Sequence, residues 1–287
     1  MIKTLFWTQS RARLQLIHSS EEGDLNWLFL PGGPGLGSES LIPLLQILQL
    51  PGRFWLLDLP GDGSNTTSNN SESFKSWPEA LVEAAQSFDH VVLVAHSTGG
   101  MYALSLPELE KHLEGLVVLD SAPDATWQVL FTEIIKKQPV PGLQAFQEKY
   151  EQNPSNEALK ALTLASAPYL FTKKGRTSGI ESLRSLPYNY ETCQWSDKHF
   201  DSTYQAKWVP QKIPALIMAG EEDLVTPLQL FEKEKRFCRD NITFKSIKNA
   251  GHFPWIENPS AVAKEFKAYS LSVEQRQKNA QWPKHNF

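Results

Sequence analysis

The chain has 287 residues, of which 41% are hydrophobic and 21% are charged, a length that accommodates one large domain or a core with an inserted module. The formal net charge of −4 and the lack of a basic stripe predict that nucleic acid is not a partner. The two cysteines, Cys193 and Cys238, are too few for a disulfide framework and fit no metal-ligand spacing. We therefore expect two free thiols in a reducing compartment and no metal site.

The N-terminal stretch MIKTLFWTQSRARL has a short apolar patch but no small-residue cleavage site, so we do not expect a signal peptide. No apolar run approaches the roughly 20 residues that a membrane helix needs. The sequence therefore predicts a soluble, cytoplasmic protein with no membrane contact. Within this region, IKTLFWT (2–8) and ARLQLIHS (12–19) are joined by a short polar turn, which predicts a hairpin.

Four apolar runs follow in the N-terminal half, at 26–30, 53–59, 90–96 and 115–120. They lack the polar alternation of half-exposed strands, so they predict strands of a parallel sheet that is buried on both faces. The segment SWPEALVEAAQSF (76–88) is typical of a helix between two such strands. The pattern is therefore βαβα, which indicates an α/β fold.

The strand signal lapses over about 124–210, where the sequence is helix-prone and rich in prolines and aromatics, and it resumes at 214–220 and 242–247. A sheet that is interrupted and then completed predicts a core of residues 1–123 and 211–287 with a helical cap of residues 124–210. The last residues, 272–287, are polar, so we expect this end to fray.

The segment VVLVAHSTGGMYAL contains a candidate nucleophile, Ser97. A buried strand runs directly into Ala95-His96-Ser97-Thr98-Gly99 and a helix-like segment follows, which predicts a strained turn that projects the Ser97 side chain from the carboxyl edge of the sheet. Small residues are needed two positions before and after the serine, and Ala95 and Gly99 meet that need. A serine that merely caps a helix is the alternative reading.

A serine nucleophile needs a base and an acid that orients the base. Among seven histidines, His252 alone lies in a loop at the carboxyl end of a late strand, while His96 is expected to point away from Ser97 and to have a structural role. Asp223 follows the strand that ends at Gly220 and sits in a short loop closed by Pro227, and the chain order Ser…Asp…His matches the expected one, so it is the preferred acid. Asp120 also ends a strand and is the second candidate.

The motifs GGPG (32–35), DLPGDGSN (58–65), AHSTGG (95–100), LDSAP (119–123), GEEDLVTP (220–227) and AGHFPWIENP (250–259), in this order and spacing, resemble those of the α/β-hydrolase superfamily over about 26–123 and 212–270. The resemblance implies an eight-stranded, mostly parallel sheet flanked by helices, with the cap inserted after the sixth strand. It also implies a Ser97–Asp223–His252 triad and an oxyanion hole formed by the Gly33 and Thr98 N–H groups.

Two positions depart from the family pattern: Pro31 stands where a histidine is common, and Asp62 where a histidine or arginine often occurs. Pro31 puts the conformation of the glycine loop in question, although the Gly33 donor is retained. The loop lacks the Lys-Ser/Thr of a phosphate-binding P-loop, and its prolines remove two N–H donors. Asp62 is expected to add a negative charge in a loop near the mouth of the site.

The predicted function is a serine hydrolase that cleaves an ester, thioester or similar acyl bond of a small, apolar substrate through an acyl-enzyme. Aromatic density in the cap and after the base suggests an enclosed pocket, with Trp127 and Trp255 as candidate substrate-binding residues. The alternatives are a proline iminopeptidase-like aminopeptidase, in which Glu181 and Glu191 would bind the free amine, and a lyase or receptor on the same fold. No cofactor is implied, and we expect a monomer or homodimer with a small-molecule substrate.

Overall fold

The computed structural model describes residues 4–66 and 73–281 of the chain. Its strands, in chain order, are β1 (Leu5–Trp7), β2 (Arg13–Ser19), β3 (Asn26–Leu30), β4 (Arg53–Asp58), β5 (Val91–His96), β6 (Leu113–Leu119), β7 (Ala215–Gly220) and β8 (Ile242–Ile247). They form one eight-stranded sheet in the order β1-β2-β4-β3-β5-β6-β7-β8. The pairs β1–β2 and β2–β4 are antiparallel, and every pair from β4 through β3, β5, β6 and β7 to β8 is parallel. The predicted hairpin and the α/β fold class are confirmed.

Helices connect the strands and cover the sheet. The α-helices are α1 (Ile42–Ile47), α2 (Trp77–Gln86), α3 (Thr98–Leu104), α4 (Thr126–Lys137), α5 (Leu143–Gln152), α6 (Asn156–Ala165), α7 (Ala167–Leu170), α8 (Arg176–Arg184), α9 (Tyr190–His199), α10 (Gln229–Lys233), α11 (Pro254–Glu257) and α12 (Pro259–Gln281). Short 3-10 turns lie at Ser38–Leu41, Ser73–Ser76, Pro107–Lys111, Asp201–Thr203 and Lys235–Phe237.

The central strands are buried on both faces, as their uninterrupted apolar runs predict. In β3 all five residues are buried, and successive side chains point to opposite faces of a sheet. Leu28 and Leu30 join the cluster that includes residues of α2 and α3, whereas Trp27 and Phe29 join the cluster that includes residues of α1 and α12. Each face therefore has its own hydrophobic core, which is why polar alternation is missing from these strands.

The carboxyl ends of β5, β6 and β7 lie side by side, because these strands are parallel neighbours in the sheet. The residues directly after β5 and β6 are Ser97 and Asp120, and Asp223 lies three residues beyond the end of β7. The topology thus brings polar side chains that are far apart in sequence to a single edge of the sheet.

The segment between β6 and β7 is helical from α4 to α9. A β-bridge joins Asp124 to Gln205, so the segment leaves and rejoins the rest of the protein at one point. It has a small apolar cluster of its own, made by Tyr150, Ala158, Leu159 and Tyr188. These features fit a cap, although the assignment of residues 124–210 as a separate domain stays a prediction.

The C-terminal helix α12 is longer than the sequence suggested. Residues 272–281, which were expected to fray, continue this helix. Val273 is buried, and a side chain at Gly115 of β6 would come within 3.3 Å of it, so one apolar face holds the helix against the sheet. Residues 282–287 lie outside the described part. In the part of the chain that is described, no helix has the length and apolar character needed to cross a bilayer.

Candidate active site

Ser97 occupies the sharp turn between β5 and α3. Its backbone has φ 51° and ψ −123°, a conformation that L-residues rarely adopt, and the residue is 9% exposed. The turn is tight because α3 lies against the glycine loop: a Cβ on Gly99 would lie 2.3 Å from the Pro31 carbonyl oxygen. The strained turn that the sequence predicts is therefore present, with a small residue where a larger one would collide.

His252 follows β8 and joins Ser97 to Asp223. Its Nε2 lies 3.0 Å from Ser97 Oγ, and its Nδ1 lies 3.1 Å from each carboxylate oxygen of Asp223. Both His252 and Asp223 are buried. The three residues that the sequence nominated are thus within hydrogen-bonding distance in the order acid, base, hydroxyl, which is the arrangement that activates a serine.

Asp223 is kept ionised by its surroundings. Its Oδ1 accepts hydrogen bonds from the N–H groups of Val225 (2.8 Å) and Thr226 (3.3 Å), and its Oδ2 accepts one from the Thr226 hydroxyl at 3.0 Å. Burial acts to raise the pKa of Asp223, but the His252 ring and the hydrogen bonds from that ring, Val225 and Thr226 outweigh it and lower the pKa below its ordinary value. A buried carboxylate with these partners carries the negative charge that an imidazolium needs beside it.

Asp120, the second candidate for the acid, contacts a different group. Its Oδ1 accepts a hydrogen bond from the Gly220 N–H at 2.8 Å, and its backbone has φ 42°. His252 Nδ1 instead lies within hydrogen-bonding distance of the Asp223 carboxylate, which accepts from it, and of the Thr226 hydroxyl oxygen. The geometry therefore favours Asp223 as the partner of the base and leaves Asp120 buried behind it.

The predicted oxyanion-hole residues, Gly33 and Thr98, face the same space as Ser97. All three line one cavity, and the Thr98 hydroxyl donates to the Gly33 carbonyl at 3.2 Å. Thr98 is the first residue of α3, so its N–H has no acceptor within the helix. Among the described residues, the Gly33 N–H also has no acceptor. Two N–H groups beside the hydroxyl are thus unpaired and able to bind an oxyanion.

Asp62 is buried against the glycine loop and is not among the described residues that line the cavity. It is 3% exposed, because its Oδ1 accepts hydrogen bonds from the N–H groups of Gly35 at 2.7 Å and Gly63 at 2.8 Å. Burial and then the negative charge of Asp58 raise the pKa of Asp62 to about 7. The residue therefore supports the loop that carries Gly33. For Pro31, nothing in the structure explains the choice of a proline ring.

His96 supports the base from behind. Its Nε2 lies 3.0 Å from the backbone carbonyl oxygen of His252, and its ring packs against Trp255 at a centroid distance of 4.8 Å. Burial and the neighbouring His252 lower the pKa of His96 to about 3, so the ring is neutral and Nε2 carries the proton. The sequence predicted a structural role for His96 but not this contact, and it gave no signal for Thr226.

The cavity above Ser97 has a volume of about 270 Å³. Apolar side chains make most of its wall: Leu36, Met101, Trp127, Phe131, Leu159, Leu162, Leu170, Val225 and Phe253. In the described part of the chain, none of the residues that line it carries a carboxylate. Trp127 lines the cavity as predicted, but Trp255 does not, because its ring is buried against His96.

The two glutamates proposed to bind an amine lie elsewhere. Glu181 and Glu191 are exposed, and Glu181 forms an ion pair with Arg184 at 3.3 Å. Most other aromatic residues of the helical segment are buried in packing contacts, including Tyr169, Phe171, Tyr188, Tyr204 and Trp208. The aromatic density that suggested a pocket therefore serves mainly to pack the helices.

Comparisons with known proteins agree with the fold. The model of the alpha/beta hydrolase family matches residues 27–265, whereas no curated protein matches the sequence. Among solved structures, the chain is similar to a proline iminopeptidase-related protein from Thermus thermophilus, with 19% identity, a TM-score of 0.70, and 95% of this chain and 98% of that chain covered. It is also similar to an esterase from Exiguobacterium antarcticum, with 15% identity, a TM-score of 0.66, and 94% and 99% covered.

A third similar structure is a thermophilic esterase from Thermogutta terrifontis, with 18% identity, a TM-score of 0.63, and 94% of this chain and 97% of that chain covered. At these identities the structural similarity supports the fold alone.

Proposed function

The chain belongs to the alpha/beta hydrolase family and is a hydrolase, and on that premise we propose that it is a serine hydrolase acting on an ester, thioester or similar acyl bond of a small, apolar substrate. The observation that carries the proposal is the continuous line of hydrogen bonds from Asp223 through His252 to Ser97. That line ends at the floor of an apolar cavity. A nucleophile, a base and an acid in this order are what acyl transfer requires.

In the proposed mechanism, the buried Asp223 carboxylate holds the proton of His252 on Nδ1, which leaves Nε2 free to accept the Ser97 proton across 3.0 Å. The Ser97 oxygen attacks the carbonyl carbon and forms a tetrahedral intermediate. His252 then protonates the leaving group, and an acyl-enzyme remains. Water, deprotonated by the same Nε2, attacks the acyl-enzyme and releases the acid.

We assign the stabilisation of the intermediate to the N–H groups of Gly33 and Thr98. Because neither N–H group has an acceptor among the residues that the structure describes and both lie beside Ser97, they need no rearrangement when the carbonyl oxygen becomes negative. The hydrogen bond from the Thr98 hydroxyl to the Gly33 carbonyl links the two donors and fixes their relative position. Removal of one oxyanion-hole donor typically lowers kcat by about 100-fold to 1,000-fold.

The lining of the cavity supports an uncharged, apolar acyl group. Its wall is formed mainly by aliphatic and aromatic side chains, with Trp127 among them. Two hydroxyl groups at the wall, those of Thr163 and Ser166, already donate to the carbonyl groups of Leu159 and Leu162. A charged acyl chain would lose its hydration without gaining a partner.

A proline iminopeptidase-like activity is the second candidate, because the chain is similar in structure to a proline iminopeptidase-related protein. An aminopeptidase must bind a free amine, which carries a positive charge at neutral pH. The described wall of the cavity carries no carboxylate, and both Glu181 and Glu191 are exposed elsewhere. The ester or thioester substrate is therefore the better supported proposal.

Labelling with a fluorophosphonate probe tests the proposed nucleophile. Wild-type protein should be labelled and Ser97→Ala should not. Ser105→Ala is the matched control, since Ser105 is equally buried and, within the described ranges, its hydroxyl donates only to the Met101 carbonyl in the adjacent helix. Wild-type protein that is not labelled would contradict the proposal and would favour a receptor or a lyase on this fold.

A panel of p-nitrophenyl esters of increasing acyl length, compared with a prolyl amide, tests the substrate class. We expect hydrolysis of short apolar esters and little cleavage of the prolyl amide. Activity confined to long-chain lipids at an interface would contradict the small-substrate proposal.

The location and the oligomeric state of the protein stay predictions. The two free cysteines fit a reducing, cytoplasmic location, and a monomer or homodimer is expected.

A further inference from the structure

A second buried carboxyl group lies against the acid of the proposed triad. Oxygen atoms of Asp120 and Asp223 and a ring nitrogen of His252 all lie within 4.8 Å of one another. Asp120 and Asp223 are 1% and 4% exposed. Two carboxylates so close together and away from water repel each other strongly, so one of them is expected to hold a proton.

The hydrogen bonds identify which carboxyl is neutral. Asp223 accepts from two N–H groups, a hydroxyl and the His252 ring, all of which favour its ionised form. Asp120 accepts from one donor, the Gly220 N–H, at Oδ1. Its Oδ2 is buried and has no donor among the described residues.

A proton on Asp120 would give its buried Oδ2, which has no donor in the described part of the chain, a hydrogen-bonding role. If Asp120 were ionised, its Oδ2 would be a buried negative oxygen without a partner, which is strongly unfavourable. If Oδ2 carries a proton, it becomes a donor, and the neighbouring acceptor is the Asp223 carboxylate, since oxygen atoms of the two side chains lie within 4.8 Å of each other.

Burial and the charges around the pair also favour a proton on Asp120. Burial and next the negative charge of Asp223 raise the pKa of Asp120 well above its ordinary value, and the charge of Glu257 adds to this. The opposite shift applies to Asp223, whose pKa is lowered through His252. The nearby His96 is neutral and brings no compensating charge.

We propose that Asp120 is a protonated carboxyl group that donates a hydrogen bond from Oδ2 to the Asp223 carboxylate and thereby orients the acid of the triad. The inference rests on the serine-hydrolase function proposed above. Asp120 is a positioning residue: it acts on the base only through Asp223, while its Oδ1, bound to the Gly220 N–H, fixes it to the end of β7. The pair holds one proton and one negative charge, so the charge beside His252 stays at −1.

The first test is infrared spectroscopy, which detects the carbonyl stretch of a protonated carboxyl group. Spectra are taken well above pH 7, where Asp62 and Asp201, whose pKa values burial raises to about 7, are ionised. We expect a protonated-carboxyl band in wild-type protein that is missing from Asp120→Asn. If wild-type protein and Asp120→Asn have the same spectrum in the carbonyl-stretch region of protonated carboxyl groups, the proposal is overturned. This readout does not depend on activity, so it fails independently of the proposed function, which fluorophosphonate labelling tests.

The second test compares two substitutions of Asp120 by ester hydrolysis. In Asp120→Asn the side-chain amide can donate to Asp223 and accept from Gly220, as the protonated acid does, so we expect kcat within about threefold of wild type. Asp120→Ala removes the donor, and we expect kcat to fall by about tenfold or more, as for loss of a hydrogen bond to a charged group. A loss of activity in Asp120→Asn as large as in Asp223→Asn would overturn the proposal, because it would make the negative charge of Asp120 essential.

The control for replacing a buried aspartate is Asp201→Asn. Asp201 is 5% exposed and bonds to the Ser196 hydroxyl at 2.9 Å, outside the cavity lining, so this variant should keep kcat within about twofold. Activity lost in EDTA and restored by a divalent cation would overturn the proposal.

Discussion

Replacing Asp62 with asparagine should stabilise the protein at alkaline pH. The Asp62 side chain is buried and accepts two backbone N–H groups through one oxygen, Oδ1. An asparagine retains an oxygen at that position and so retains both hydrogen bonds, but it carries no charge. The substitution therefore removes the unfavourable burial of a carboxylate while it preserves the support of the glycine loop.

The magnitude follows from the pKa of Asp62, which burial and the charge of Asp58 raise from 3.8 to about 7. The folded state holds the proton up to about pH 7, and the unfolded state releases it near pH 4, so the contribution of Asp62 to stability falls as pH rises between these values. At about 1.4 kcal/mol for each tenfold change in proton affinity, ionised Asp62 lowers the free energy of unfolding by about 4 kcal/mol above pH 7.

Thermal unfolding followed by circular dichroism at several pH values measures this effect. Asp62→Asn should match wild-type protein at about pH 4 and exceed its Tm by about 7 °C at pH values above 7. Asp62→Ala is the control: it also lacks the charge, but it leaves the Gly35 and Gly63 N–H groups without an acceptor, so it should be less stable than Asp62→Asn at every pH. A difference between wild type and Asp62→Asn that does not change with pH, or a wild-type protein that is more stable in alkali, would refute the reasoning.

Three further predictions concern other contacts. A Cβ at Gly32 would lie 2.5 Å from Ser97 Cβ, so Gly32→Ala should displace the nucleophile and lower kcat by about 100-fold, whereas unchanged ester hydrolysis would contradict the close packing. His96→Phe keeps the packing but loses the donor to the His252 carbonyl; kcat should fall about tenfold, and the pH–rate profile should not move, because His96 is neutral. Glu110 accepts three backbone N–H groups and an indole N–H, which outweigh burial and lower its pKa. Glu110→Gln should therefore lower the free energy of unfolding at neutral pH, and urea titrations should show that this loss disappears as the pH falls below 4.5. A loss of the same size at every pH would contradict the prediction.

Much of the fold could be predicted from local pattern. Strands buried on both faces need apolar residues along their length, so the apolar runs at 26–30 and 90–96 were sufficient to predict β3 and β5. Parallel strands also require crossover connections, which are usually helices. The nucleophile turn was also predictable, because a strained serine between a buried strand and a helix needs small neighbours, and Gly99 meets the Pro31 carbonyl where any side chain would collide.

The candidate site was only partly predictable. Asp120 and Asp223 both follow parallel strands at the same sheet edge, and both fit the chain order Ser…Asp…His, so the sequence could not exclude either. The structure separates them by their partners: Asp223 faces His252 Nδ1, and Asp120 faces the Gly220 N–H. Trp127 and Trp255 are equally aromatic in sequence, but only Trp127 lines the described cavity wall.

The sequence by itself determined which segments are buried, where the chain turns sharply and which residue types stand at the strand ends, because these depend on residues close together along the chain. Only the tertiary structure decided which carboxyl meets the base, that Asp62 lies under the glycine loop, and that α12 continues to Gln281. Those outcomes depend on side-chain direction and burial against distant elements. The charge of each carboxyl is set by its burial and by the groups that surround it in the folded protein. The protonation of Asp120 and Asp62 therefore depends on the tertiary structure and cannot be read from a local motif.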